Sequence, residues 1–423
     1  MDKRQIKQIL LEQKEEIKEI IGEKIIEREV ENYAKQSLKN RLIKVIIGAR
    51  RSGKSFLAHK ILEGKNYGYV NFDDERFIGV KSRDLNDFLE EIKEIDSEIE
   101  CILLDEIQNI DGWELFVNRL KRAGYNAIVT GSNAKLLSQE LATHLTGRHT
   151  LIELYPFSFG EFLKRKGQKF SENDFYLTAK KANIKRLLEE YMDQGGFPEL
   201  FLLDNKKQYL RDLYDKIISR DIVPRHKIKY VKSLKELALY LISNFGSKFT
   251  FQKLAKLFNI KSVHTAKNYI DYLEEVYMLF VLEPFSFKIK ERISAPKKVY
   301  AIDTGLINAI SFQNSPNRGR LMENIVFLEL KRRGKEIYYY IDRTGREIDF
   351  LIKNNRKVEE LIQVCFDLND IETRDREIRA LENASGELNC KNLTVITWDD
   401  EREEIIKKRK IIFKPLYKWL LEK

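Results

Sequence analysis

The chain has 423 residues, 43% of them hydrophobic and 34% charged, with a formal net charge of +10. That length implies two to four domains with their own cores, and the positive balance admits a nucleic-acid partner without requiring one. Three scattered cysteines (Cys101, Cys365, Cys390) and five histidines offer neither a disulfide framework nor a zinc spacing, and no apolar run suits a membrane span or a secretory signal, so the expected location is the cytoplasm.

Residues 1–40 mix both charge signs, while Ile6, Leu10, Ile17, Ile21, Ile25 and Val30 recur near a helical repeat. This predicts one or two amphipathic helices with the charges on a solvated face. A basic DNA-contacting arm is the alternative reading.

From Leu42 to Lys166 the pattern alternates strand and helix, as in a doubly wound α/β core. Strands are expected near 43–47, 67–72, 101–104, 126–130 and 150–154; helices are expected near 54–63, 84–95, 113–122, 133–142 and 158–166. The first strand runs into Gly48-Ala49-Arg50-Arg51-Ser52-Gly53-Lys54-Ser55, a phosphate-binding loop. Glycines let successive N–H groups turn toward phosphate oxygens, and the following helix points its positive end at the same anion. Lys54 would reach the β- and γ-phosphates of ATP, and Ser55 would take a position on Mg²⁺.

The third strand, CILL, is apolar throughout and ends in Asp105 and Glu106. Such a run suits a strand buried on both faces, with the acids at its ligand-binding end. Asp105 is read as the magnesium ligand and Glu106 as the group that orients the attacking water. A pair of solvated strand-end acids is the bland alternative. After the fourth strand, Ser132 and Asn133 are placed to sense the γ-phosphate, although Gly-Ser-Asn is also good turn chemistry. Arg148, in TGRH, is read as an arginine finger acting on a neighbouring subunit, which requires an oligomer; a plain surface arginine is the alternative.

Residues 167–230 read as a helical lid, with Arg211, Arg220 and Arg225 as candidate γ-phosphate sensors. Residues 231–300 read as a winged helix, with Ser262 capping a second helix whose outward face carries His264, Thr265, Lys267 and Asn268. These groups suit a major groove. Lys288, Lys290, Arg292, Lys297 and Lys298 would form a basic wing on the DNA backbone. A winged helix used for protein contacts or as part of the lid is the rival.

Residues 301–423 contain an α-β-β-β-α-β pattern like that of restriction-type nucleases, which set an Asp on one strand and Glu-x-Lys on the next. Here Glu323 and Asp349 stand at acidic positions, but the Glu-x-Lys position reads Gln363-x-Cys365. A neutral amide is a weak magnesium ligand and a thiol has no charge to offer phosphate. The expectation is a nuclease-like fold without cleavage, unless a lysine such as Lys353 comes from elsewhere.

Together, GARRSGKS, LLDEIQNI, VTGSN, TGRH, YPFSFGEFL, GGFPE, VYAIDTGLINA, MENIVFLEL and REIDFLI resemble an archaeal and bacterial ATPase family. Its members join an AAA+-type P-loop core to a winged helix and a restriction-nuclease-like (PD-(D/E)XK-type) domain of unknown function. The resemblance implies strand order 5-1-4-3-2 and ring assembly, possible as a hexamer. Two functions follow as expectations. One is an ATPase that couples hydrolysis to DNA remodelling or translocation; the other is a nucleotide-dependent switch whose winged helix and degenerate nuclease domain bind proteins.

Overall fold

The computed structural model describes residues 1–21, 26–132, 149–311, 317–368, 370–407 and 409–422. Ile25, the helix expected over 133–142, Asn133 and Arg148 lie outside the described residues. The chain divides into two compact units: Met1–Phe157 with Glu275–Tyr277, and Ser158–Glu274 with Met278–Lys423. Among the described residues no helix is long and apolar enough to cross a membrane.

The first unit holds a parallel sheet of β1 (Ile43–Gly48), β2 (Tyr67–Asn71), β3 (Cys101–Asp105), β4 (Asn126–Gly131) and β5 (His149–Leu154). Their order, β2-β3-β4-β1-β5, is the expected 5-1-4-3-2 read from the other edge. Every residue of β1 and β3 is buried, as a run without alternation requires of a sheet covered on both faces. Lys44 is the polar exception in β1; its ammonium is taken up by the Asn40 carbonyl and the Asn126 side-chain oxygen.

Helices Lys54–Ile61, Leu85–Ile95 and Trp113–Arg122 follow β1, β2 and β3. At the N-terminus, helix Lys3–Ile21 buries Ile6, Ile9 and Leu10, and helix Glu31–Ser37 follows it. The first of these covers the β2 edge. The Gln13 side chain accepts the Asn71 N–H at 2.9 Å and donates to the Asn71 carbonyl at 3.1 Å, replacing the strand an open edge would recruit.

The second unit begins with helices Phe159–Arg165, Thr178–Gln194, Lys206–Lys216 and Val231–Ser243. Strand β6 (Lys248–Phe249), helices Phe251–Leu257 and Val263–Glu275, and strands β7 (Leu279–Leu282) and β8 (Lys297–Ala301) come next. The three strands form an antiparallel sheet ordered β6-β8-β7. The expected cap at Ser262 is present, its hydroxyl accepting the Thr265 N–H at 3.0 Å.

A six-stranded mixed sheet closes the chain: β9 (Glu336–Ile341), β10 (Glu347–Asn354), β11 (Lys357–Cys365), β12 (Leu393–Thr397), β13 (Arg402–Ile406) and β14 (Arg409–Pro415), ordered β13-β14-β12-β11-β10-β9. Helices Arg318–Arg332 and Ile371–Leu388 pack on it. The β13–β14 hairpin is absent from the expected pattern because its dense charges mask the alternation, in which Ile411 and Phe413 are the buried positions.

Candidate functional site

The phosphate loop is shaped by its closeness to β5. Gly48 lies opposite Leu154, and a Cβ on it would stand 2.0 Å from the Leu154 carbonyl oxygen. Gly53, at φ +94°, turns the chain into helix Lys54–Ile61. Lys54 is buried, and its ammonium lies 3.1 Å from the Ala49 carbonyl, 3.3 Å from the Gly48 carbonyl and 3.7 Å from Glu106 Oε1. Arg50 extends toward Asp73, 3.7 Å away, while Arg51 is exposed in a left-handed conformation. Ser52 is fully buried, and its hydroxyl has no hydrogen-bond partner among the described residues.

The acids at the end of β3 share one network with this lysine. The Asp105 carboxylate accepts from the Thr130 hydroxyl, from Tyr69 at 3.5 Å and from Ser55. Burial, and then the neighbouring Glu106 charge, push Asp105 above the ordinary carboxylate range. For Glu106, burial opposes the charge, but Lys54, the Gln108 amide, Arg50 and the Ser132 hydroxyl hold its carboxyl below that range. The two carboxylates are thus driven apart, one toward a proton and one away from it.

Glu106 stands at φ +49°, turned by a bond from its N–H to Thr130 Oγ1 at 3.1 Å, and Ser132 donates to its carboxylate at 3.2 Å. Lys54, Ser55, Asp105, Glu106 and Ser132 therefore meet. Two residues of this network escape sequence reasoning. Thr130 bridges both acids from β4; in the VTGSN string it precedes the turn and carries no local signal of its own. Arg28 precedes helix Glu31–Ser37 and is buried, donating to the Ser52 carbonyl at 2.8 Å and the Tyr155 carbonyl at 2.7 Å, with its guanidinium 4.9 Å from the Phe157 ring centre. It looked like one charge among many in a mixed-sign segment.

In the second unit, His264 and Lys267 are exposed on helix Val263–Glu275, Thr265 and Asn268 are half-buried, and Ala266, Tyr269, Ile270 and Leu273 anchor the inner face. The basic wing differs from expectation. The connection from β7 to β8 contains a helix, Ile289–Ser294, and only Lys288 and Lys290 keep exposed ammonium groups, Lys288 pairing with Glu291 at 2.9 Å. Arg292 pairs with Glu283 at 2.8 Å, and Lys297 and Lys298 are buried in β8 because their strand is the centre of its sheet. Of the lid arginines, Arg211 is committed to the Ala309 carbonyl at 2.9 Å, Arg220 is exposed and Arg225 is half-buried.

Glu323, Asp349 and Gln363 come together around one cavity of about 480 Å³. Cys365 is buried in the adjoining core, donating to the Asp367 carbonyl at 3.2 Å, and burial pushes its thiol up to about 12. Lys353 pairs with Glu336 at 2.8 Å instead of entering the acidic group. The lysine that does enter it is Lys298, 2.7 Å from Glu323.

A sequence profile of AAA domains matches residues 40–163, and two domains of unknown function, DUF8612 and DUF4143, match residues 185–317 and 318–418. An uncharacterised protein of Methanocaldococcus jannaschii is 40% identical over 398 residues, 90% of this chain and 88% of that protein. An uncharacterised protein of Haemophilus influenzae is 33% identical over 363 residues, 80% of this chain and 86% of that protein. Among solved structures, a Walker-type ATPase of Pyrococcus abyssi aligns with a TM-score of 0.44 at 13% identity, over 68% of this chain and 97% of that one. The chain belongs to the family that the Methanocaldococcus and Haemophilus proteins represent, and its residues 40–163 form an AAA-type P-loop ATPase domain.

Proposed function

We propose that the chain is a magnesium-dependent ATPase that binds DNA and couples hydrolysis between subunits to DNA remodelling or translocation. The observation that carries the hydrolytic part is the meeting of Lys54, Ser55, Asp105 and Glu106 in one buried network. These residues fit a magnesium nucleotide: among the described residues Lys54 is held by loop carbonyls and a longer contact to Glu106, and the buried Ser52 hydroxyl has no hydrogen-bond partner. Lys54 would take the β- and γ-phosphates, and Ser55 and Asp105 would hold the metal. When bound, magnesium supplies positive charge to the phosphate oxygens. Glu106, kept ionised, accepts a proton from the attacking water, and Ser132 fixes its orientation. Arg148 would act from a neighbouring subunit of an oligomeric ring.

The DNA part rests on the exposed His264 and Lys267 beside the anchored inner face of helix Val263–Glu275, in a helix–strand–helix–helix–strand–helix–strand order that reads as a winged helix with a helix in its wing. The six-stranded domain is read as nuclease-like and without cleavage. Fluorescence anisotropy with duplex, branched and single-stranded DNA tests the reading. Affinity should fall steeply with rising salt as counterions are released, and DNA should raise the ATPase rate several-fold. A flat salt response together with an unchanged ATPase rate would contradict it.

One observation favours the switch with protein partners. Phe287, Ile289 and Ile293 are 80%, 71% and 71% exposed on the β7–β8 connection, where a DNA-backbone contact calls for polar groups. In that case the same experiment gives no DNA stimulation, and turnover stays slow with every nucleic acid.

A further inference from the structure

The acidic group beside the 480 Å³ cavity has a topology in which restriction-type nucleases hold a metal. Its residues do not fit one. Among the described residues no cluster of three His, Cys, Asp or Glu side chains is arranged to hold a metal ion. Most of the oxygens that would serve are already engaged. Asp349 accepts the Val364 N–H at 2.9 Å through Oδ2 and lies 3.5 Å from the Lys298 ammonium through Oδ1. Glu323 Oε1 accepts from Lys298 at 2.7 Å and from the Tyr300 hydroxyl at 2.6 Å. Gln363 turns its carbonyl oxygen to the Asp349 N–H at 2.7 Å and gives its amide to Glu377 and the Glu347 carbonyl.

Lys298 completes the arrangement. It comes from β8, outside the sheet that carries Asp349, and is 3% exposed. Its ammonium lies 2.6 Å from Glu347, 2.7 Å from Glu323 and 3.5 Å from Asp349. Lys248, from β6, adds a second ion pair to Glu347. Three carboxylates packed this closely need a positive charge, because each alone in a buried site is strongly disfavoured.

We propose that Lys298 is the built-in counter-ion of this domain: a tethered ammonium does the charge compensation that a divalent cation does in metal-holding relatives of the topology. Two consequences follow. The C-terminal sheet works without metal, so the divalent-cation requirement of the chain is confined to the phosphate loop. Lys298 and Lys248 also fasten the β6–β8–β7 sheet to Glu323 and the β10 acids, all within the second unit.

The test is thermal unfolding of the full chain in EDTA and in millimolar MnCl₂, in an Asp105→Asn background that removes the phosphate-loop carboxylate. The parent should unfold at the same temperature in both. Lys298→Met should unfold earlier in EDTA and gain about 3 °C or more with Mn²⁺, a gain that Lys298→Met with Asp349→Asn should lose. Lys298→Arg, which keeps a cation, should stay insensitive to Mn²⁺. A Lys298→Met chain that gains nothing from Mn²⁺, or does not fold even with it, would overturn the proposal. A second measurement needs no lysine variant: Mn²⁺ titration of the parent followed by electron paramagnetic resonance should show no site that Asp349→Asn removes, and finding one would overturn the proposal equally.

Discussion

Arg28 illustrates how a residue far from the phosphate loop in sequence can govern its shape. Its planar guanidinium spans two carbonyls, one on the loop at Ser52 and one at Tyr155 beyond β5. Arg28→Ala removes the arginine donor from both buried acceptors, at a cost on the order of 3 kcal/mol, and frees the loop to leave its cradle. Calorimetry should show weaker nucleotide binding together with a lower melting temperature. Arg28→Lys should not restore it, since a single ammonium cannot reproduce the fork. Lys54, Ser55, Asp105 and Glu106 were legible in the sequence because their signals are local: a glycine spacing, and an apolar run ending in acids. Arg28, Thr130 and Lys298 were not, because their partners lie 24 and 127, 25, and 25 residues away respectively, at Ser52 and Tyr155, Asp105, and Glu323. Only the finished topology brings those pairs together.

Two strings that marked the family by sequence, GGFPE and IDTGL, interlock in the second unit. The buried Asp303 caps helix Thr304–Ile310 through the Leu306 N–H at 3.0 Å and also accepts the Gly196 N–H at 2.7 Å. The fit leaves no room for a side chain: a Cβ on Gly195 would stand 2.0 Å from Asp303, and one on Gly305 would stand 2.0 Å from the Gln194 carbonyl. Burial pushes Asp303 up to about 6, against the pull of its backbone donors. The folded chain therefore holds a proton here more readily than the unfolded chain. The resulting stability is fully present below the ordinary value of 3.8 and is lost as pH rises through about 6. Asp303→Asn removes that titration. Denaturant unfolding of both proteins across this range should show the wild type gaining on the variant as pH falls, by about 3 kcal/mol at most. A constant difference would place the titration elsewhere. At this scale the parallel core was readable because β1 and β3 are unbroken apolar runs, whereas helix Ile289–Ser294 was hidden in a string that looked like a basic wing.

For the molecule as a whole, burial tilts the net charge of +10 further toward a basic surface. Among the described residues five bases (Arg28, Lys44, Lys54, Lys297 and Lys298) are buried against nine acids (Glu31, Glu91, Asp105, Glu114, Glu161, Asp303, Glu329, Asp342 and Glu382), so more negative than positive charge is withdrawn from the surface. The proposed coupling to DNA and the proposed trans action of Arg148 both presuppose a working hydrolytic centre, in which Glu106 is the proposed base. Single-turnover hydrolysis of ATP, with wild type and Glu106→Gln each saturated with magnesium nucleotide, tests this most directly. The account predicts that the variant binds ATP as tightly as wild type and hydrolyses it at least about 100-fold more slowly. Hydrolysis by Glu106→Gln at the wild-type rate would contradict it.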